Sequence, residues 1–168
     1  MRRFKIVVTG PKQSGKSSLL KSIGATAILG QDCAALYMGP RQLCYWWETL
    51  SSERHTALRG LLFHGATLIV LVVRNQIQST QMRWWLDHVG QHHIVVVHNT
   101  AANHSMNEVS MLASRRKLTL CTVDLRSGDG IEAFRRSIDR MLRELDDLPP
   151  PHRLQDAVDH SPICCAVT

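Results

Sequence analysis

The segment Gly10-Pro11-Lys12-Gln13-Ser14-Gly15-Lys16-Ser17 holds the residue types that grip a chain of phosphates. Its two glycines let the backbone turn so that successive N–H groups face inward toward anionic oxygens. Lys16 supplies an ammonium able to bridge neighbouring phosphates, and the Ser17 hydroxyl is a hard oxygen ligand for Mg²⁺. The order G-x-x-x-x-G-K-[S/T] is informative only between a strand and a helix. Both flanks are present here. Residues 4–9 form a short β-branched run ending at Gly10, and residues 17–23, with Ser18 in the first turn, read as a helix whose amino end favours an anion. A plain glycine-rich turn with a solvated lysine would look the same over these eight positions, so the rest of the chain must decide.

The elements that position this loop are legible from periodicity. Residues 43–47 are a strand candidate, and 68–73 are a continuous apolar run of strand length. Residues 80–89 carry helical spacing through Met82, Trp85, Leu86 and Val89; 93–97 read as a strand, 107–115 as a helix and 118–123 as a strand. The clearest helix covers 131–145, where Ile131, Phe134, Ile138, Met141, Leu142 and Leu145 recur at steps of three and four with arginines between them. Strands alternating with helices of this length predict an α/β fold, a doubly wound and mainly parallel sheet flanked by helices. One domain is expected over 1–147. Pro149 stops the last helix, and 148–168 read as a flexible tail.

Composition bounds the function. Of 168 residues, 44% are hydrophobic and 20% charged, a globular balance. The formal charge is +6, and the stretch from Leu145 onward is net −3, leaving the body at about +9. A basic body suits a polyanionic ligand, an anionic membrane surface or nucleic acid. With no aromatic-interleaved basic stripe and no zinc-finger spacing, nucleic acid is not expected. The amino-terminal residues do not resemble a signal peptide, and the longest apolar stretch, 66–73, is too short to cross a bilayer. Five cysteines without a disulfide pattern suit a reducing, cytoplasmic setting.

The segment Trp47-Glu48-Thr49-Leu50-Ser51-Ser52-Glu53-Arg54 resembles the W-D-T-A-G-Q-E-R signature of the Ras and Rab small GTPases. The likeness runs on through Ala57, Leu58, Phe63, Gly65 and Ala66, reaches Trp85-Leu86, and ends at Ser127-Gly128-Asp129-Gly130-Ile131-Glu132, similar to T-G-E-N-V-E. It covers residues 4 to about 145. Read singly, Trp46, Trp47, Trp84 and Trp85 suit ordinary core and surface positions; their order and spacing carry the resemblance. What it implies is a P-loop NTPase domain that binds GTP or GDP with Mg²⁺, the metal held by Ser17 and approached by Glu48.

The departures bear on chemistry. Glu48 replaces the family's aspartate, Ser51 its γ-phosphate glycine, and Ser52 the glutamine that orients the attacking water, so no catalytic residue is assigned and hydrolysis should be slow or lost. Between Ser17 and Glu48 lie 30 residues whose sole threonine, Thr26, is too early to reach the metal. Lys12 and Gln13 stand where relatives prefer small residues; Lys12 could cap a phosphate or point to solvent, and the solvent reading is favoured. Guanine recognition, N-K-x-D in the family, reads here Asn99-Thr100-Ala101-Ala102; losing the carboxylate costs about 1–3 kcal/mol, one or two orders of magnitude in base preference. Asp124-Leu125-Arg126 occupies the S-A-K position, with Asp124 a candidate to restore part of the base contact.

The chain ends in Cys164-Cys165-Ala166-Val167-Thr168, similar to prenylated Rab tails and to a C-a-a-X box. Two lipids would anchor the protein to the cytosolic face of a membrane without a basic patch; two incidental cysteines are the plainer alternative. His88, His92 and His93 lack companion ligands at metal-site spacing and read as surface residues. Two functions therefore stand. One is a Rab-like nucleotide-binding protein that recruits effector proteins in membrane or vesicle trafficking. The other is a pseudo-GTPase scaffold subunit of a trafficking or intraflagellar-transport-like complex. A small-molecule kinase would need an arginine-bearing lid, and Arg115-Arg116 and Arg135-Arg136 sit on solvated helix faces instead.

Overall fold

Among the described residues, seven strands form one sheet in the order β2-β3-β4-β1-β5-β6-β7. In this computed structural model the described residues are 2–27, 33–39, 42–49, 63–74, 77–89, 92–100 and 107–147. The strands are β1 (Arg2–Thr9), β2 (Thr26–Ala27), β3 (Cys33–Gly39), β4 (Gln42–Glu48), β5 (Leu68–Val73), β6 (His93–Asn99) and β7 (Thr119–Val123). The helices are α1 (Lys16–Ser22), α2 (Ile77–Val89), α3 (Asn107–Arg115) and α4 (Ile131–Asp147).

From β4 to β7 the five neighbouring strands run parallel, while β3 pairs antiparallel with both β2 and β4. The mainly parallel, helix-flanked α/β architecture expected from the sequence is present. Two faces of the sheet are covered. Leu19, Leu20 and Ile23 join Ile131, Phe134, Ile138 and Leu142 of α4 on Ile6, Val8, Val70, Val72, Val95 and Val97. Met82, Trp85, Leu86 and Val89 of α2, with Val109 of α3, cover Val7, Ile69, Leu71, Val73 and Val96. That double cover explains why all six residues of β5 are buried and why its sequence shows no alternation. The same burial makes α4 an anchor. Each fully buried side chain such as Ile138 or Leu142 contributes roughly 1.5–3 kcal/mol of apolar transfer.

Local expectation and structure part in identifiable places. The strand read at 43–47 is the fourth, not the second, because β2 and β3 precede it. Strand β3 is Cys33-Ala34-Ala35-Leu36-Tyr37-Met38-Gly39, too rich in small residues to show strand propensity; pairing with β4 from Cys33↔Trp47 to Gly39↔Gln42 is what organises it. Helix α1 begins at Lys16 rather than Ser17, and α2 begins at Ile77 rather than Thr80. The tryptophans divide between core and surface. Trp46 is fully buried against Phe134, the Lys5 ammonium lies 5.9 Å from the Trp47 ring centroid, and Trp84 is exposed with its ring edge-on to the buried Trp85. Cys44 and Cys121 are free thiols in the core.

Residues 148–168, and with them Cys164 and Cys165, lie outside the described residues, as do Ser51, Ser52, Glu53, Arg54, Ala101 and Ala102. Among the described residues no helix is long and apolar enough to cross a membrane.

Candidate functional site

The loop that leaves β1 is shaped by two glycines that no other residue could replace without movement. Gly10 has φ +139°, and a Cβ there would sit 2.2 Å from the Val72 carbonyl oxygen of β5. Gly15, at φ +106°, is the N-cap of α1 and provides no side-chain cap; a Cβ would meet Leu125 Cδ1 at 2.7 Å and Asn99 Nδ2 at 2.8 Å. Gln13 also takes a left-handed backbone, at φ +62°, a conformation that costs a non-glycine residue on the order of 1 kcal/mol. The loop is therefore pressed against β5 at its start and against the ends of β6 and β7 at its finish.

Side chains hold it there. Asn99, the last residue of β6, donates from Nδ2 to the Ser14 carbonyl at 3.2 Å. Lys16 is only 4% exposed, and its Nζ donates to the carbonyls of Gly10 at 3.2 Å and Pro11 at 2.9 Å. The Ser17 hydroxyl donates to Glu48 Oε1 at 2.7 Å. Beneath the loop, Thr9 and Thr49 are buried and joined through their hydroxyls at 2.9 Å, and the Thr49 N–H donates to the Val8 carbonyl at 2.9 Å. That clasp fixes the end of β4, and so Glu48, beside the start of the loop.

An open cleft of about 420 Å³ lies over this arrangement, lined by Gln13, Gly15, Lys16, Ser17, Ser18, Glu48, Arg74, Asn99, Leu125 and Arg126. It sits at the carboxyl ends of the parallel strands, where open α/β sheets bind ligands. Every lining residue except Arg74 was drawn from the sequence motifs. Arg74 belongs to no motif; the one signal for it is a lone cation directly after the apolar run 68–73. Gly10, Pro11, Lys12 and Ser14 shape the loop without lining the cleft, and Lys12 is exposed as expected.

Asp124 departs from the expectation of a base contact. It does not line the cleft, and its Oδ1 accepts the backbone N–H groups of Arg126 at 2.8 Å and Ser127 at 3.4 Å. An aspartate closing its own turn is the ordinary use of that side chain, and it carries Leu125 and Arg126 to the cleft instead. Thr26 lies in β2, paired with Ala35 near the far edge of the sheet. His93 is exposed and His92 half-buried; among the described residues no three His, Cys, Asp or Glu side chains gather into a metal-sized group.

Burial, with the Asp139 charge adding to it, pushes the Cys44 thiol up to about 12. Burial also raises Cys121 and lowers Lys5. The cleft itself joins a buried ammonium, a hydroxyl–carboxylate pair and two further arginines, a set that suits a phosphorylated ligand with a hard divalent cation. A comparison with protein-family models finds no match for this chain, and a comparison with curated proteins finds none either.

Proposed function

We propose that this cleft binds a nucleoside di- or triphosphate, GDP or GTP, with Mg²⁺. On this reading the chain is a Ras/Rab-like protein with a P-loop NTPase domain that acts by recruiting partner proteins rather than by rapid hydrolysis. The observation that carries the reading is the Ser17–Glu48 hydrogen bond at 2.7 Å in the same cleft as the buried Lys16. A hydroxyl has one proton; giving it to Glu48 leaves the Ser17 lone pairs for a hard cation. Ser17 and Glu48 thus fit Mg²⁺, with water and phosphate oxygens completing its shell. When bound, the metal would offset phosphate charge. Lys16 would grip the phosphates from within the loop, and Asn99 would keep the loop in register through the Ser14 carbonyl.

Base discrimination on this reading is weak. Guanine needs an acceptor for its N1–H and 2-amino group. The Asp124 carboxylate does not line the cleft, and its Oδ1 accepts from the backbone of its own turn instead. Hydrolysis is slow because Ser52 is too short to hold a water from the position of the family's glutamine. A lipid at Cys164 and Cys165 would place the protein on the cytosolic face of a membrane.

The test is to purify the protein without added nucleotide, denature it and identify any released nucleotide by chromatography, then titrate GDP, GTP and ATP with Mg²⁺. Near-stoichiometric nucleotide, lost in Lys16→Ala, is the expected result, with GTP preferred over ATP by less than about tenfold. An empty protein that ignores all three ligands overturns the reading and leaves the scaffold subunit standing.

A further inference from the structure

Arg74 adds to the positive charge of the cleft, but the nucleotide reading gives it no place on the phosphates. We propose that Arg74 is a second phosphate-gripping cation of this site, acting from the β5 side on the phosphates that nucleoside diphosphates and triphosphates share. This rests on the nucleotide reading and adds a residue to it.

The placement follows from strand order. β1 lies between β4 and β5, with Val8 level with Glu48 on one side and Thr9 level with Leu71 on the other. Glu48 is the last residue of β4 and Arg74 the first after β5, so the two flank the loop leaving β1 from opposite sides. Gly10 lies against the Val72 carbonyl, two residues before Arg74. The chain leaving β1 turns into α1 on one face of the sheet, and the chain leaving β5 leads to α2 on the other. Such a divergence opens the crevice in which α/β sheets bind ligands, and Arg74 stands on its β5 wall.

Chemistry and charge agree with the placement. Lys16, Arg74 and Arg126 are the basic lining residues and Glu48 the acidic one among those described, an excess of two positive charges. A guanidinium presents a planar fork of donors that matches two phosphate oxygens, where the lysine ammonium is a point charge. The metal side of the cleft is marked by Ser17 and Glu48, so the terminal phosphate belongs there. Arg74 is on the other side, toward Asn99 at the end of the neighbouring strand β6, and so faces the inner phosphates.

Isothermal titration with GDP and with GTP, both with Mg²⁺, tests this on the wild type, Arg74→Ala and Arg74→Lys. The expected result is a loss of about 10- to 100-fold for both nucleotides in Arg74→Ala, with their ratio unchanged and part of the loss recovered by Arg74→Lys. Thermal unfolding without nucleotide, run alongside, should show both variants folded at the titration temperature, because half-buried Arg74 is no part of the apolar core. Affinities within twofold of wild type overturn the role of Arg74 alone. A loss confined to GTP overturns its placement on the inner phosphates. A wild-type protein that binds neither nucleotide overturns the nucleotide reading itself.

Discussion

The Ser17 hydroxyl gives its proton to Glu48 at 2.7 Å, joining the first turn of α1 to the last residue of β4. These residues are partners in one device, so their losses should not add. Ser17→Ala and Glu48→Ala are each expected to cut the Mg²⁺-dependent part of GTP affinity by about tenfold, and the double variant should fall little further. Titration with and without Mg²⁺ reads this directly. Losses that multiply would show that hydroxyl and carboxylate act apart.

Gly10→Ala should cost far more than Gly24→Ala. Both glycines have positive φ, but a Cβ at Gly24 meets nothing within 4 Å, whereas at Gly10 it strikes the Val72 carbonyl at 2.2 Å. Strain alone at Gly24 is worth about 1 kcal/mol. The added backbone collision at Gly10 should bring the loss to about 3 kcal/mol, because β1 and β5 must part to relieve it. Urea unfolding of the two variants checks the difference, and equal costs would contradict the close approach.

Ser14→Ala should leave the nucleotide-free protein as stable as wild type or more so. The Ser14 side chain is fully buried, and its Oγ has no hydrogen-bond partner among the described residues. Removing an unsatisfied buried hydroxyl returns about 1 kcal/mol of desolvation cost and leaves a void smaller than a methyl group. A clear loss of stability in chemical denaturation would mean that this hydroxyl is bonded after all.

Alkaline pH should weaken the fold through Cys44. Burial raises this thiol from 9.0 to about 12 in the folded chain, so its contribution is fully present below pH 9.0 and is lost as pH rises toward 12. The unfolded chain releases the proton first. The expected slope is about 1 kcal/mol per pH unit in that window. Lysine and tyrosine side chains ordinarily titrate in the same window, so the informative quantity is the difference in slope from Cys44→Ala. Parallel pH profiles for the two proteins would remove Cys44 from the effect.

Much of this was legible along the chain because the signals are local. A buried parallel strand must be apolar on both faces, so β5 and β6 announce themselves. An amphipathic helix must repeat its apolar positions, so Phe134, Ile138 and Leu142 could be named as core before any fold was known. The loop from Gly10 to Ser17 is equally local in its signal, since its two glycines, its lysine and serine and a helix start all fall within eight residues.

What tertiary structure alone decided is what strand neighbours decide. Strand β3 has weak propensity of its own and takes shape only because β4 supplies an antiparallel partner. Arg74 reads in sequence as one cation after an apolar run. It becomes part of the cleft because β5 lies beside β1, a pairing between segments about sixty residues apart. Asp124 could be aligned with a base contact, but its carboxylate closes its own turn. Sequence alone determined which residues are apolar, which are charged and where the chain can bend; pairing and packing across long separations decided which of those charges share one crevice.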